Sequence, residues 1–255
     1  MDTRYWGPSG WRLLHLIAQG GRGPLKAFFE TLPFVLPCKY CRQNLAEHIA
    51  ADPVPSDSAA FPRWLWKIHN AVNAKLREQN IPVAAPDPPF ERVEAAYKDR
   101  IATGCSRTTF EGWEFLFSIA DSHPFSRAAQ TSSPIKGHPP IESLVKATPA
   151  ELNRWNLLPA EERMPFYARF WELLPRVFPF PEWSRAWKEA SEGAEIHCRS
   201  GCLKGVWAIR RAMEEGLELL NRTSYSNLCK ELQTYRSGCS SGARRKTCRR
   251  KRASK

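Results

Sequence analysis

Helical periodicity runs through the first hundred residues, and proline, glycine or aspartate closes each stretch of it. Strand signals are scarce. That combination confines the chain to an all-α fold. The spacing predicts helices over about 9–20, 24–36, 38–49, 59–79 and 90–102. A Pro/Asp/Ser loop fills 52–58 and a Pro-rich connection fills 81–89. The first helix is expected to start after Gly7-Pro8-Ser9, because proline suits an early helical position. Such a set reads as a compact bundle ending near Cys105.

Beyond Cys105 the chain repeats its plan weakly. Phe28-Phe-Glu-Thr-Leu-Pro-Phe-Val-Leu-Pro-Cys38-Lys-Tyr-Cys41 aligns with Phe170-Trp-Glu-Leu-Leu-Pro-Arg-Val-Phe-Pro-Phe180-Pro-Glu-Trp183. Trp11-Arg-Leu-Leu-His15 matches Trp113-Glu-Phe-Leu-Phe117, and Trp66-Lys-Ile-His69-Asn70 matches Trp207-Ala-Ile-Arg210-Arg211. The blocks keep their order, although helices also share Leu, Trp and Glu for ordinary reasons. If the repeat is real, the second copy has lost its chemistry. Cys38 and Cys41 become Phe180 and Trp183, His15 becomes Phe117, and His69, Asn70 and Asn73 become Arg210, Arg211 and Glu214. The expected organisation is a bundle over 1–105, a degenerate helical bundle over 106–235 and a basic tail over 236–255. Residues 121–142, rich in Ser, Pro and Gly, read as one long inserted loop.

Nine of the Lys and Arg residues fall in 236–255, which leaves only +3 of the +12 formal charge on the rest. The basicity therefore belongs mainly to the tail. Arg244-Arg-Lys-Thr-Cys-Arg-Arg-Lys-Arg252 would suit nucleic acid or an acidic partner, or simply solubility. No apolar run approaches the ~20 residues that a membrane span needs. Met1-Asp-Thr-Arg-Tyr-Trp6 lacks a basic-then-apolar leader pattern. The expectation is a cytoplasmic chain without a membrane partner. In a reducing compartment, a CxxC is more often catalytic or metal-binding than a structural staple.

The chemistry gathers around that CxxC. Pro37 sets the entry to a helix whose first turn holds Cys38 and Cys41, one turn apart, a spacing that permits a reversible disulfide. A helix N-terminus offers free N–H groups and partial positive charge, and both favour a thiolate. Lys39 and Arg42 add to this if they stay close. On the fourth helix Trp66, His69, Asn70 and Asn73 occupy a face where Leu or Val would be ordinary. Buried His and Asn need partners, and a heteroaromatic ligand with ring nitrogens, hydroxyls and phosphates would supply them. Trp11 and His15, four apart, form a second wall, and Lys75 could meet phosphate. Separately, each feature has a plainer reading: a satisfied core histidine, or a helix with buried hydrogen bonds. A zinc site joining Cys38 and Cys41 to His197, Cys198 and Cys202 lacks the usual close spacing. A thioredoxin-type CxxC would follow a strand. No metal is expected.

Together, Trp11-x-x-x-His15, Pro37-Cys38-x-x-Cys41 and His69-Asn70-x-Val72-Asn73-x-x-Leu76 resemble the Erv/ALR family of FAD-linked sulfhydryl oxidases over roughly residues 5–105. The resemblance implies a four-helix bundle with a short fifth helix, often dimeric. It implies Cys41 against the isoalloxazine ring, Cys38 as the cysteine attacked by the incoming thiol, and Trp11, His15, His69, Asn70, Asn73, Lys75 and Tyr97 lining FAD. The implied reaction oxidises two protein thiols to a disulfide and passes the electrons through FAD to O2, giving hydrogen peroxide. The chain departs from the family where Cys105 lacks its usual partner, where Gln19 replaces a common aromatic, and where 81–89 lacks Gly-Lys-Pro. An active bundle joined to a degenerate one resembles larger members, including quiescin-type enzymes and oxidases of large DNA viruses. A viral member would act in host cytoplasm and virion. The family's shuttle cysteines would correspond to Cys239 and Cys248, or to Cys198 and Cys202. A different class of reading is a non-catalytic virion component that keeps the fold and binds nucleic acid through the tail.

Overall fold

The structure is a computed structural model that describes residues 1–236. The predicted shuttle cysteines Cys239 and Cys248, and the basic run from Arg244 to Arg252, lie outside the described residues. Among the described residues there is no strand, and the fold class is all-α.

Five helices make the first half: α1 (Thr3–Gly20), α2 (Leu25–Val35), α3 (Lys39–Ala51), α4 (Phe61–Glu78) and α5 (Phe90–Thr103). Helix α1 begins about two turns earlier than expected. Asp2 caps it by accepting the Arg4 N–H at 2.9 Å, and Pro8 sits inside the helix rather than at its start. Helix α4 shows its apolar stripe at Phe61, Trp64, Leu65 and Ile68, all buried. Helix α2 is buried nearly all round, so it belongs to the centre of the molecule rather than to its surface.

The second half holds α6 (Trp113–Asp121), α7 (Arg127–Gln130), α8 (Pro149–Arg154), α9 (Ala160–Val177), α10 (Pro181–Ser191), α11 (Cys202–Gly216) and α12 (Tyr225–Arg236). The segment read as one long loop, 121–142, contains α7 and ends in a 3-10 turn at Ile141–Leu144; α8 follows it and opens with a Thr148/Glu151 capping box. Residue 236, placed in the tail by composition, ends α12 and pairs with Asp121. Helix α12 returns to the N-terminus, where Tyr235 stacks on Tyr5 at 4.7 Å.

One apolar core runs from Trp6 to Leu232 through both halves. Its centre is the packing of α2 on α9 and α1 on α6. Phe28 meets Phe170 at 5.4 Å and Phe34 meets Phe166 at 3.7 Å, so α2 and α9 run antiparallel. Helices α1 and α6 approach through two glycines. A Cβ on Gly10 would lie 3.1 Å from the Phe115 ring, and one on Gly112 would lie 2.6 Å from Leu13. Gly112 also has φ +119°, a region that disfavours a side chain.

Candidate active site: a dithiol in the wall of an aromatic cavity

Cys38 is the N-cap of α3, and its carbonyl accepts the Arg42 N–H at 2.9 Å. Cys41 falls in the first turn, where the helix dipole favours an anion. The two thiols differ in access. Cys38 is buried at 5 % exposure, while Cys41 is half-buried and faces a cavity of about 510 Å³ between α1, α3, α4 and α5. That volume lies within the range of cofactor sites.

The cavity lining includes Trp11, His69, Asn73, Lys75 and Tyr97. Trp11 and His69 stack at 3.9 Å and 9°. His15 stands behind this stack, buried, with Nε2 3.0 Å from His69 Nδ1 and its ring 5.0 Å from Tyr97. It therefore reaches the cavity only through His69. Asn70 is half-buried and is not part of the lining. Asn73 does line it, and donates to Asp87 at 2.8 Å. Asp87 is also clamped by Arg77, which holds its carboxyl below the usual range.

Sequence reasoning missed one wall. Ile81, Pro82 and Val83 of the connection fold over the cavity, and the segment is tied down where Trp66 Nε1 donates to the Pro88 carbonyl at 2.9 Å. The clue available was the Arg77 and Asp87 pair bracketing that connection. Gln79 also lines the cavity, and its Oε1 is buried without a partner. Lys39 turns to the Ser133 carbonyl at 2.7 Å, so the inserted segment reaches the CxxC turn.

Among the described residues no group of three His, Cys, Asp or Glu side chains converges to hold a metal. Cys105 is a free thiol whose pKa is raised by burial. No described helix is long and apolar enough to cross a membrane.

Burial holds the His69 pKa down to about 4. Burial, then repulsion from His69, takes His15 to about 3. Both are neutral at pH 7. The unfolded chain takes up protons as pH falls through about 6.5, whereas the folded pair refuses them until 3–4. Stability must therefore fall as pH drops from 7 towards 4. His48 and His123, also lowered by burial, act in the same direction. The urea midpoint is expected to decline between pH 7 and pH 5, and less steeply in a His15→Gln/His69→Gln variant. A midpoint flat across that range would contradict the buried neutral pair.

A bundle without strands among the described residues, with a CxxC at a helix start opening into an aromatic cavity, defines a class of helical dithiol protein. The Erv1/Alr family model matches residues 8–86. The FAD-linked sulfhydryl oxidase of African swine fever virus (isolate Tick/Malawi/Lil 20-1/1983) is 33% identical over 86 residues, covering 30% of this chain and 72% of its own. The mitochondrial FAD-linked sulfhydryl oxidase ERV1 of Saccharomyces cerevisiae is 29% identical over 86 residues, 30% of this chain and 46% of its own. The FAD-linked sulfhydryl oxidase ERV1 of Oryza sativa subsp. japonica is 32% identical over 85 residues, 30% and 44% respectively. No solved structure matches the chain significantly. The chain belongs to the Erv1/Alr family.

Proposed function

We propose that the chain is an FAD-linked sulfhydryl oxidase that joins pairs of protein thiols into disulfides and delivers the electrons to O2, forming hydrogen peroxide. The observation that carries this reading is Cys41 in the wall of the aromatic cavity, one helical turn from Cys38. The residues present suit FAD. The cavity is mainly apolar, a tryptophan and a histidine stack at its edge, Lys75 can meet phosphate, and Gln79 Oε1 lacks a protein partner. FAD, when bound, supplies the two-electron acceptor beside the dithiol.

The protein's own groups do the rest. Cys38 receives the substrate thiol, and the turn around it must open locally because it is buried. Cys41 faces the cavity and hands the electron pair on. The start of α3 holds negative charge on sulfur. Trp11 and His69 would wall the ring, His15 fixes His69 from behind, and Asn73 and Tyr97 border the same space. The proposed substrates are proteins, with host cytoplasm and virion as the setting in view of the viral relatives.

We further infer that 106–235 is a degenerate copy of 1–105 that takes the place of a partner subunit. Three contacts support this. Phe28 and Phe170, aligned in the repeat, touch each other. Gly10 meets Phe115 while Gly112 meets Leu13, and Gly10 aligns with Gly112 as Leu13 does with Phe115. Reciprocal contacts of this kind are what a two-fold interface produces. A homodimer of the whole chain would then use other surfaces.

The test is the visible absorption spectrum, before and after adding dithiothreitol in air. Flavin bands and oxygen consumption are expected. A colourless protein that takes up no FAD on refolding would overturn the oxidase reading and favour the non-catalytic one.

A further inference from the structure

Two cations are buried behind the CxxC turn, one from each half. Phe166 stacks flat on Phe34 of α2, at 3.7 Å and 4°. Because α2 and α9 run antiparallel, Arg163, about one turn earlier on α9, lies towards the end of α2 that leads into Leu36 and Cys38, close enough to Arg42 for the two charges to repel. Arg42 arrives from α3. Its Nη1 donates to the Leu36 carbonyl at 3.0 Å and its Nη2 to Asn156 Oδ1 at 2.6 Å. Arg42 is 6 % exposed and Arg163 7 %. Neither has a carboxylate partner among the described residues, and the Nε of each is buried and unbonded.

The other polar groups nearby do not neutralise them. On α3, Lys39 bonds the Ser133 carbonyl and Glu47 is engaged by Arg154 of α8 at 3.4 Å. On α9, the Tyr167 hydroxyl meets Cys202 Sγ at 2.7 Å. Burial, then repulsion from Arg42, lowers the Arg163 pKa to about 9, so it is still charged at pH 7. Buried charges without partners are costly. The groups beside Arg42 that can become anionic are Cys38 and Cys41.

We propose that Arg163, acting with Arg42, holds positive charge behind the CxxC turn that is offset only when Cys38 and Cys41 are reduced, and so sets their oxidising strength. The inference rests on the reading of Cys38 and Cys41 as the redox centre. The Cys38–Cys41 disulfide accepts two electrons and one proton, becoming one thiol and one thiolate. Two substrate thiols supply the electrons, leave as a disulfide and release a second proton to water. A fixed positive field favours the thiolate state and makes the disulfide the stronger oxidant, as stabilising a reduced form does in general. Arg163 is a positioning residue, and the second half thereby contributes to the chemistry of the first.

The experiment is Arg163→Met beside Arg163→Lys in the full chain. Both are equilibrated anaerobically with glutathione buffers, the Cys38/Cys41 state is read by alkylation and mass, and thermal midpoints are recorded. The Met variant is expected to shift the dithiol–disulfide equilibrium about tenfold towards the disulfide, or about 30 mV for this two-electron couple. Alkylation of its reduced pair should need higher pH, and it should melt higher than the parent, because an uncompensated buried cation is gone. The Lys variant should stay within about threefold of the parent. A Met variant with unchanged potential, or one that melts lower or fails to fold, overturns the proposal. The potential needs no flavin, so a chain that lacks thiol oxidase activity would instead bring down the oxidase reading.

Discussion

Cys41→Ser is expected to lower thiol-dependent oxygen consumption by about a thousandfold or more while the protein stays folded and keeps its flavin. The loss follows from position. Among the described residues Cys41 is the thiol that lines the cavity, and Cys38 is covered, so Cys41 is the sulfur placed to pass electrons from Cys38 into that space. Cys38→Ser should be equally damaging with protein substrates. With dithiothreitol some of its activity should return, because a small thiol can reach Cys41 directly. Ser removes the thiolate but keeps the approximate size, so a folding defect is not expected. Peroxide output at the parent rate from Cys41→Ser would remove this cysteine from the reaction. The same assay separates Cys198 from a structural role. Cys198 is exposed in the loop before α11, and Cys202 at the start of α11 is buried, its thiol pushed up to about 12 by burial. That environment disfavours exchange at Cys202, so Cys198→Ser should leave turnover of protein thiols unchanged.

The site was legible where a polar side chain stood in an apolar register. His69 and Asn73 on α4 are of this kind, and both reach the cavity. Asn70 shows the limit of that reasoning. The cavity face of α4 is centred near Leu65, Val72 and Leu76, with Asn73 at its edge. At 100° per residue, Asn70 lies about 60° further round, beyond that edge. Identity alone suggested a lining residue, and the helical wheel turns Asn70 away from this face of α4. His15 differs again, since its spacing from Trp11 is right but the bulk of His69 stands between it and the cavity. The early start of α1 was hidden because Gly7-Pro8 reads as a break, while the cap that starts the helix is Asp2. The lid at 81–83 was illegible for a different reason. It is held by ties from Trp66, Asn73 and Arg77 to residues 84–88, of which only the opposite charges of Arg77 and Asp87 leave a trace in the sequence. Arg163 was likewise invisible, because its significance comes from Arg42, 121 residues away in the chain.

Phe170→Ala should cost about 3–5 kcal/mol of stability, the range for emptying a buried phenylalanine site. Phe170 has no exposed surface and touches Phe28, Trp171 and the edge of Phe115. It sits where α2 meets α9, far along the chain from every residue proposed to bind FAD. If the second half were an appendage, its loss would leave the flavin cavity intact and produce two unfolding transitions. The continuous core predicts otherwise. Helix α2 supplies Phe29, Leu32 and Leu36 to the same space that the cavity occupies, so loosening its α9 face should loosen the cavity wall. A single transition at lower temperature, with flavin released at that same temperature, is the expected result by absorbance and circular dichroism. Val145→Ala, on an 83 % exposed side chain, should change stability by no more than about 0.5 kcal/mol. The Phe28→Ala/Phe170→Ala pair gives the sharper measurement. The two rings fill one space, so the double variant should lose less than the sum of the singles by at least about 0.5 kcal/mol. Additive losses, or a flavin cavity that outlives the second half, would show that the two halves are neighbours and not a single folded unit.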